Sequence, residues 1–375
     1  VTYGSIYCQL AEKNNFTEED AEKIHQALIT LFEGDAAAMR PAGTMNVQKV
    51  YWWKHNCKTG QYPQIKVFKT LDELVTLLQE RGVEIQDSSA RDYAKRVLEK
   101  HGYYNLINGY NKLFLDIESD TVRYRQGTTM NEINALYQFD RVLRDIFFRY
   151  ILEVETHIKS LISYYFSESH GHKNYLVYTN FNTTLRDSES KITNLIAEIQ
   201  RQTANHSNDP SISHYLKAHG YIPLWVLNNI LTLGTISKFY SLMLPQERQS
   251  ISRRFNIMDN ELENALAYIS IVRNFCAHGN RIYCFRTKKP LSTTPYHKQL
   301  GIEQNKNGEY LKGKRDLFAC LIALKSLLSN NDYKRMSKEI YRAIGTLDKK
   351  LCLLTRDEVL NEMGFPQNWR ILNSL

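Results

Sequence analysis

The sequence predicts a mainly α fold with a short α+β segment at its front. From residue 70 onward apolar residues recur at three- and four-residue spacing between caps and glycines. Residues 1–66 instead combine one helix with an aromatic run of strand character. The most apolar stretch, Val142 to Tyr165, is interrupted by Arg144, Asp145, Arg149, Glu153, Glu155 and Lys159, so no membrane span is expected.

The first helix opens at Phe16-Thr-Glu-Glu-Asp20. Thr17 is its cap, and Asp20 takes the place usually held by a longer Glu. Its apolar spacing runs through Ala21, Ile24, Leu28 and Leu31 and is stopped by Gly34-Asp35. The turn Arg40-Pro-Ala-Gly-Thr-Met45 precedes a strand over 46–55, Asn46-Val-Gln-Lys-Val-Tyr-Trp-Trp-Lys-His55. A helix follows from Thr70 to a terminal Gly82, and another from Ser88 to Lys100, stopped at His101-Gly102. Residues 130–170 form the longest helical stretch, ending at Gly171. Segment 171–213 is polar and reads as a loop around Asn205, His206, Asn208, Asp209 and Pro210. Helices resume over about 223–243, 245–255 and 259–278, then 314–330 and 332–346. Three parts are expected: 1–66, 67–290 and a C-terminal helical extension, 291–375.

A formal charge of +8 favours polyanionic partners, and the 24 tyrosines include side chains able to stack on unpaired bases. The plainer alternative is a solvated basic surface over core tyrosines. Six cysteines include no C-x-x-C pair, so a zinc site is not expected and a reduced, cytoplasmic setting fits. Residues 1–5 lack the charged start and apolar core of a signal peptide.

The sharpest chemical feature is Arg273-Asn-Phe-Cys-Ala-His278, followed by Gly279-Asn280-Arg281. R-x-x-x-x-H spacing also occurs at Arg96–His101 and Arg201–His206, but only this copy has Asn after Arg, Ala before His, and an apolar-periodic helix leading in. Arg273, Asn274 and His278 are the candidate catalytic residues. RNA is cut without metal when a base takes the ribose 2′-OH proton and the oxygen attacks the adjacent phosphorus. Histidine as a residue type suits both proton roles near neutrality, and arginine offers a planar fork of donors to phosphate oxygens. Asn274 would orient a histidine or the phosphate. Positions five apart on a helix differ by about 140°. One Arg and one His therefore converge poorly on one phosphate, which favours a second copy of the helix completing the site. Arg281, Arg286, Lys288 and Lys289 lie just beyond as candidate RNA-binding residues. No Asp/Glu/His cluster has metal-ligand spacing, so no metal or other cofactor is expected. The bland alternative makes Arg273 and Asn274 helix-capping groups and His278 a satisfied terminal histidine.

Residues 66–290 resemble the Abi-like family of abortive-infection proteins (AbiD/AbiF type), within the HEPN superfamily. The landmarks stand in the family's order. Thr70 to Gly82 is similar to its opening helix, and His101-Gly-Tyr-Tyr-Asn-Leu-Ile-Asn-Gly-Tyr110 to its YY-x-L-x-x-G-Y segment. Leu136-Tyr-Gln-Phe-Asp-Arg-Val-Leu-Arg144 resembles its Y-x-F-D-R-x-L-R helix. Pro223-Leu-Trp225 with Leu233-Gly-Thr-Ile-Ser237 resembles its P-L-W and F-G-T-L-S block. The resemblance implies a HEPN-type helical bundle acting as a homodimer, with two Arg/His sets facing each other in one ribonuclease site. Lys159 stands where the family has Arg. Glu155 and Lys159, four apart, are then either a structural ion pair, the favoured reading, or a support behind His278.

At the front, Tyr3-Gly-Ser-Ile-Tyr7, Asn15 to Glu22, Ala27 to Glu33, Met39 to Gly43, Val50 to Asn56 and Lys58-Thr-Gly60 together resemble the C-terminal part of the CRISPR-associated RAMP backbone subunit of type I interference complexes. The resemblance implies part of an RRM-like fold of the kind that lines up along guide RNA. Too little is present for a complete RRM. The leading expectation is a metal-independent HEPN endoribonuclease cutting single-stranded RNA in antiphage defence, by abortive infection or linked to a CRISPR complex. The alternative is a non-catalytic RNA-binding subunit of a CRISPR effector complex. A third reading joins them, the front segment recruiting the nuclease to a type I complex.

Overall fold

The computed structural model describes residues 6, 11, 13–30, 69–116, 118–119 and 121–375. The chain divides into two compact units, Val1–Leu74 and Val75–Leu375. In the first, α1 (Glu18–Ile29) is capped by the Thr17 hydroxyl, which accepts from the Asp20 N–H at 3.2 Å. The Asp20 carboxylate accepts the Thr17 N–H at 2.9 Å, so a short side chain closes the box. The predicted stop at Gly34, turn at 40–45 and strand at 46–55 lie outside the described residues.

The mainly α reading holds. After α2 (Leu71–Glu80) and α3 (Ser88–His101) comes a π-helical turn, Tyr104–Asn108, and then α4 (Met130–His170). Gly102 at φ 75° and Gly171 at φ 82° end α3 and α4 where the sequence placed their stops. Beyond α4 run α5 (Ser188–Asn205), α6 (Pro210–His219), α7 (Leu224–Leu227), α8 (Leu233–Leu242), α9 (Pro245–Ser252) and α10 (Asp259–Ala277). The chain closes with α11 (Pro295–Gln299), α12 (Leu317–Leu327), α13 (Asn330–Asp348), α14 (Arg356–Met363) and a 3-10 turn, Trp369–Asn373. Among the described residues, β pairing is confined to isolated bridges such as Leu115 with Tyr124. No helix among them is long and apolar enough to cross a membrane.

The loop expected over 171–213 is a correction. Its second half is the 18-residue α5. Ile192, Leu195 and Ile199 form a narrow buried stripe at three- and four-residue spacing, with polar side chains around the rest. Gln202 is buried as well, and its amide donates to the Thr235 hydroxyl at 2.7 Å.

The axis of the second unit is α4, against which α3, α7, α8, α9, α10, α12 and α13 all pack. Its apolar side, including Ile133, Phe147, Ile151, Ile158 and Phe166, is fully buried, each such side chain contributing about 1.5–3 kcal/mol. Buried polar groups on α4 tie down other segments. Glu132 accepts the N–H groups of Cys352, Leu353 and Leu354 at 3.1, 3.0 and 2.8 Å. Ser163 accepts the Asn228 amide at 2.7 Å. Residues 291–375 thus lie in the same compact unit as α4, with Tyr150 donating to Glu339 of α13 at 3.0 Å.

Candidate active site

Helix α10 presents the candidate residues at its C-terminal end. Leu262, Leu266, Ile269 and Val272 are buried where α10 packs against α4, α8 and α12. Glu261 accepts the Met258 N–H at 2.9 Å and fixes the other end. The helix stops in a Schellman turn. Asn280 N–H donates to the Phe275 carbonyl at 2.9 Å and Gly279 N–H to the Cys276 carbonyl at 3.1 Å, with Gly279 at φ 70°. His278 is the capping residue, its N–H donating to the Asn274 carbonyl at 3.0 Å. A Cβ on Gly279 meets nothing within 4 Å. Gly279→Ala should therefore cost only backbone strain, about 1–2 kcal/mol, in thermal or denaturant unfolding. No loss at all would show that the left-handed turn is not formed.

Asn274 and His278 are exposed and, four residues apart, share one side of α10. Arg273 turns instead toward α4. Its guanidinium carbon lies 5.7 Å from the centre of the Phe148 ring, and its Nε is 3.6 Å from Glu155 Oε2. That separation is Coulombic contact rather than a hydrogen bond, and both atoms are buried without a hydrogen-bond partner among the described residues. The other Glu155 oxygen accepts Lys159 Nζ at 2.7 Å. One buried carboxylate thus serves two cations, and Glu155 and Lys159 stand behind Arg273. No hydrogen bond joins either to His278, and none joins Arg273 to His278.

Sequence reasoning missed what holds this end of α10 in place. Asp140, fully buried on α4, accepts the Ile282 and Tyr283 N–H groups at 3.0 and 2.7 Å, the Tyr110 hydroxyl at 2.7 Å and Arg144 Nη1 at 2.5 Å. Burial pushes the Asp140 carboxyl up from its ordinary range, against the opposing pull of these four donors. Arg144 also reaches the Asn280 carbonyl at 3.4 Å. The chain leaving His278 is therefore clamped within four residues. The signal lay in Tyr110, Asp140 and Arg144, which the sequence reading quoted as landmarks without a role.

A family model described as Abi-like protein matches residues 96–284, a span holding Tyr110, Asp140, Arg144, Glu155, Lys159 and the whole 273–278 motif. The chain belongs to the Abi-like family. A second model, CRISPR-associated protein Cas7, matches residues 1–97. No curated protein and no solved structure matches the chain. Both family matches fit a role in antiphage defence. The Abi-like match starts within α3, so α2, read as the family's opening helix, falls instead inside the stretch matched to Cas7.

Elsewhere in this Abi-like chain the basic residues beyond the motif divide. Arg281 donates to the Gly109 and Asn108 carbonyls at 2.6 and 3.2 Å, and Arg286 to the Glu362 carbonyl at 2.9 Å, so both brace the fold. Lys288 and Lys289 are exposed, with Lys288 contributing its carbonyl to Arg315. Burial pushes the Cys276 thiol up to about 12, which leaves it a poor nucleophile at neutral pH. Of the other R-x-x-x-x-H copies, Arg201 pairs with Glu198 at 2.7 Å and His206 Nδ1 lies 2.8 Å from the Gln202 carbonyl. Among the described residues no three His, Cys, Asp or Glu side chains form a metal-holding group.

Proposed function

We propose that this chain is a HEPN endoribonuclease of antiphage defence that cuts single-stranded RNA without a metal ion. The observation that carries the reading is the split arrangement at the end of α10. Arg273 is braced by Glu155 and Phe148, while Asn274 and His278 stand exposed on another side of the helix. In a homodimer two such ends face each other. One His278 takes the proton of the ribose 2′-OH as the O2′–P bond forms, and the other gives a proton to the 5′ oxygen as the P–O5′ bond breaks. A 2′,3′-cyclic phosphate and a 5′-hydroxyl result. Arg273 stabilises the phosphorane charge, and Asn274 orients the histidine or the phosphate. Lys288 and Lys289 neutralise incoming backbone, with Arg281 and Arg286 contributing charge.

Residues 67–290 are the proposed nuclease domain, 291–375 its helical extension and 1–66 the RAMP-like segment. The Cas7 match also favours a second reading, in which the chain is a non-catalytic RNA-binding subunit of a CRISPR effector complex. Incubating the wild-type protein with single-stranded RNA in EDTA separates the two. Cleavage with cyclic-phosphate ends is expected. RNA bound but uncut, alone and with a type I complex added, would leave the scaffold reading.

A further inference from the structure

Away from α10, the last part of the chain carries a concentration of positive charge that the ribonuclease reading does not use. A pocket of about 460 Å³ is lined by Lys334, Lys338, Tyr341 and Arg342 of α13 together with Arg370 and Asn373 of the terminal 3-10 turn. The four α13 residues lie at i, i+4, i+7 and i+8 and so form one stripe. The opposite stripe, with Tyr333, Met336, Ile340 and Ile344, is buried in the core. No acidic side chain is among the described residues that line the pocket.

Three carboxylates near these residues in sequence are already engaged. Glu339 takes Arg149 and Tyr150, Asp332 takes Arg335 and Ser329, and Asp357 accepts the Gln367 amide at 3.1 Å. Lys334, Lys338, Arg342 and Arg370 form no hydrogen bond or ion pair through their side chains with any described residue. Cations gathered in this way repel one another unless an anion joins them.

Arg370 is held ready for such a ligand. Its guanidinium lies 4.1 Å from the centre of the Tyr341 ring, and that of Arg356 lies 5.8 Å from the same ring. Stacking on the ring leaves the N–H donors of Arg370 free at the edges of its plane, where they match phosphate oxygens. Lys334, Lys338 and Arg342 follow at one-turn intervals, about 6 Å apart along the helix. They make a row, which suits successive phosphates of a strand better than one isolated anion. Asn373 closes one side of the pocket, and its Oδ1 is shut off from solvent, so the recognition rests on the four cations.

We propose that this pocket binds the backbone of single-stranded RNA, with Lys334, Lys338, Arg342 and Arg370 on phosphates. The site deepens the reading of the chain as an RNA-cutting enzyme by naming where the strand is held outside the cleavage site. It is tested in the His278→Ala protein, so that binding is scored whether or not that reading is right. Fluorescence anisotropy with a labelled 12-nucleotide oligouridine is followed from low to high salt.

The triple substitution Lys334→Ala/Lys338→Ala/Arg342→Ala should lower the slope of log affinity against log salt by about 2, at about 0.7 per contact. It should also weaken binding on the order of 10²-fold at low salt. Arg370→Ala and Tyr341→Ala should each weaken binding, while Tyr341→Phe keeps the platform and the affinity. These are surface changes, and an unchanged melting temperature separates lost binding from lost fold. An unaltered slope and affinity in the triple variant would overturn the proposal. So would loss of ATP binding with RNA binding intact, which assigns the pocket to a free nucleotide.

Discussion

Replacing His278 with alanine should reduce RNA cleavage by 10²–10⁴-fold, the ordinary worth of a positioned general acid or base, while leaving the protein folded. The second half of this expectation follows from the position of the side chain. His278 is exposed at the capping position, where its role in the Schellman turn runs through the backbone: its own N–H donates to the Asn274 carbonyl, and Gly279 and Asn280 supply the other two bonds. Alanine preserves every one of these donors. A surface change of this kind ordinarily moves stability by no more than about 0.5 kcal/mol. Kinetics and melting temperature measured on one preparation therefore separate chemistry from folding. A wild-type rate in the variant would remove His278 from the mechanism. If the site is composite, specific activity should also fall when wild-type enzyme is diluted below its dimer dissociation constant. Activity proportional to concentration over that range would mean that one chain suffices.

The contrast between what the sequence disclosed and what it hid follows from the range of each interaction. Helix ends were legible because their chemistry is local: Thr17 and Asp20 are three residues apart, and Gly102, Gly171 and Gly279 each end a helix through a positive φ. The ion pair of Glu155 with Lys159 was legible for the same reason, being one helical turn. Its further partner Arg273 was not, because only the packing of α10 on α4 brings the two together. The helix over 188–205 escaped notice because its buried stripe is narrow and Asp187 makes no side-chain capping bond. Tyr110, Asp140 and Arg144 were visible as landmarks, yet nothing local disclosed that they form one network.

Asp140→Ala should destabilise the second unit by about 3–5 kcal/mol, the usual cost of removing one partner from a buried charge pair. The loss is large because the carboxylate is fully buried and its partners come from three places: Arg144 from its own helix, Tyr110 from 30 residues away, and two amides from 142 and 143 residues further along. Alanine leaves the Ile282 and Tyr283 N–H groups and the Tyr110 hydroxyl without their acceptor, and Arg144 without its counter-charge. In a unit of about 300 residues, where 1 kcal/mol corresponds to about 1.5–2 °C, the melting temperature should fall by roughly 5–10 °C. Asp140→Asn should cost less, because one amide oxygen still accepts the backbone N–H groups while the charge opposite Arg144 is gone. The functional consequence differs from that of His278→Ala. Asp140 touches no substrate in the proposed mechanism and is a positioning residue. Its loss frees the segment clamped just after His278, so activity and melting temperature should fall together in both variants, with alanine the more severe. A stable Asp140→Ala protein with normal unfolding would show that the anchoring of residues 280–283 to α4 does not hold the end of α10 in place.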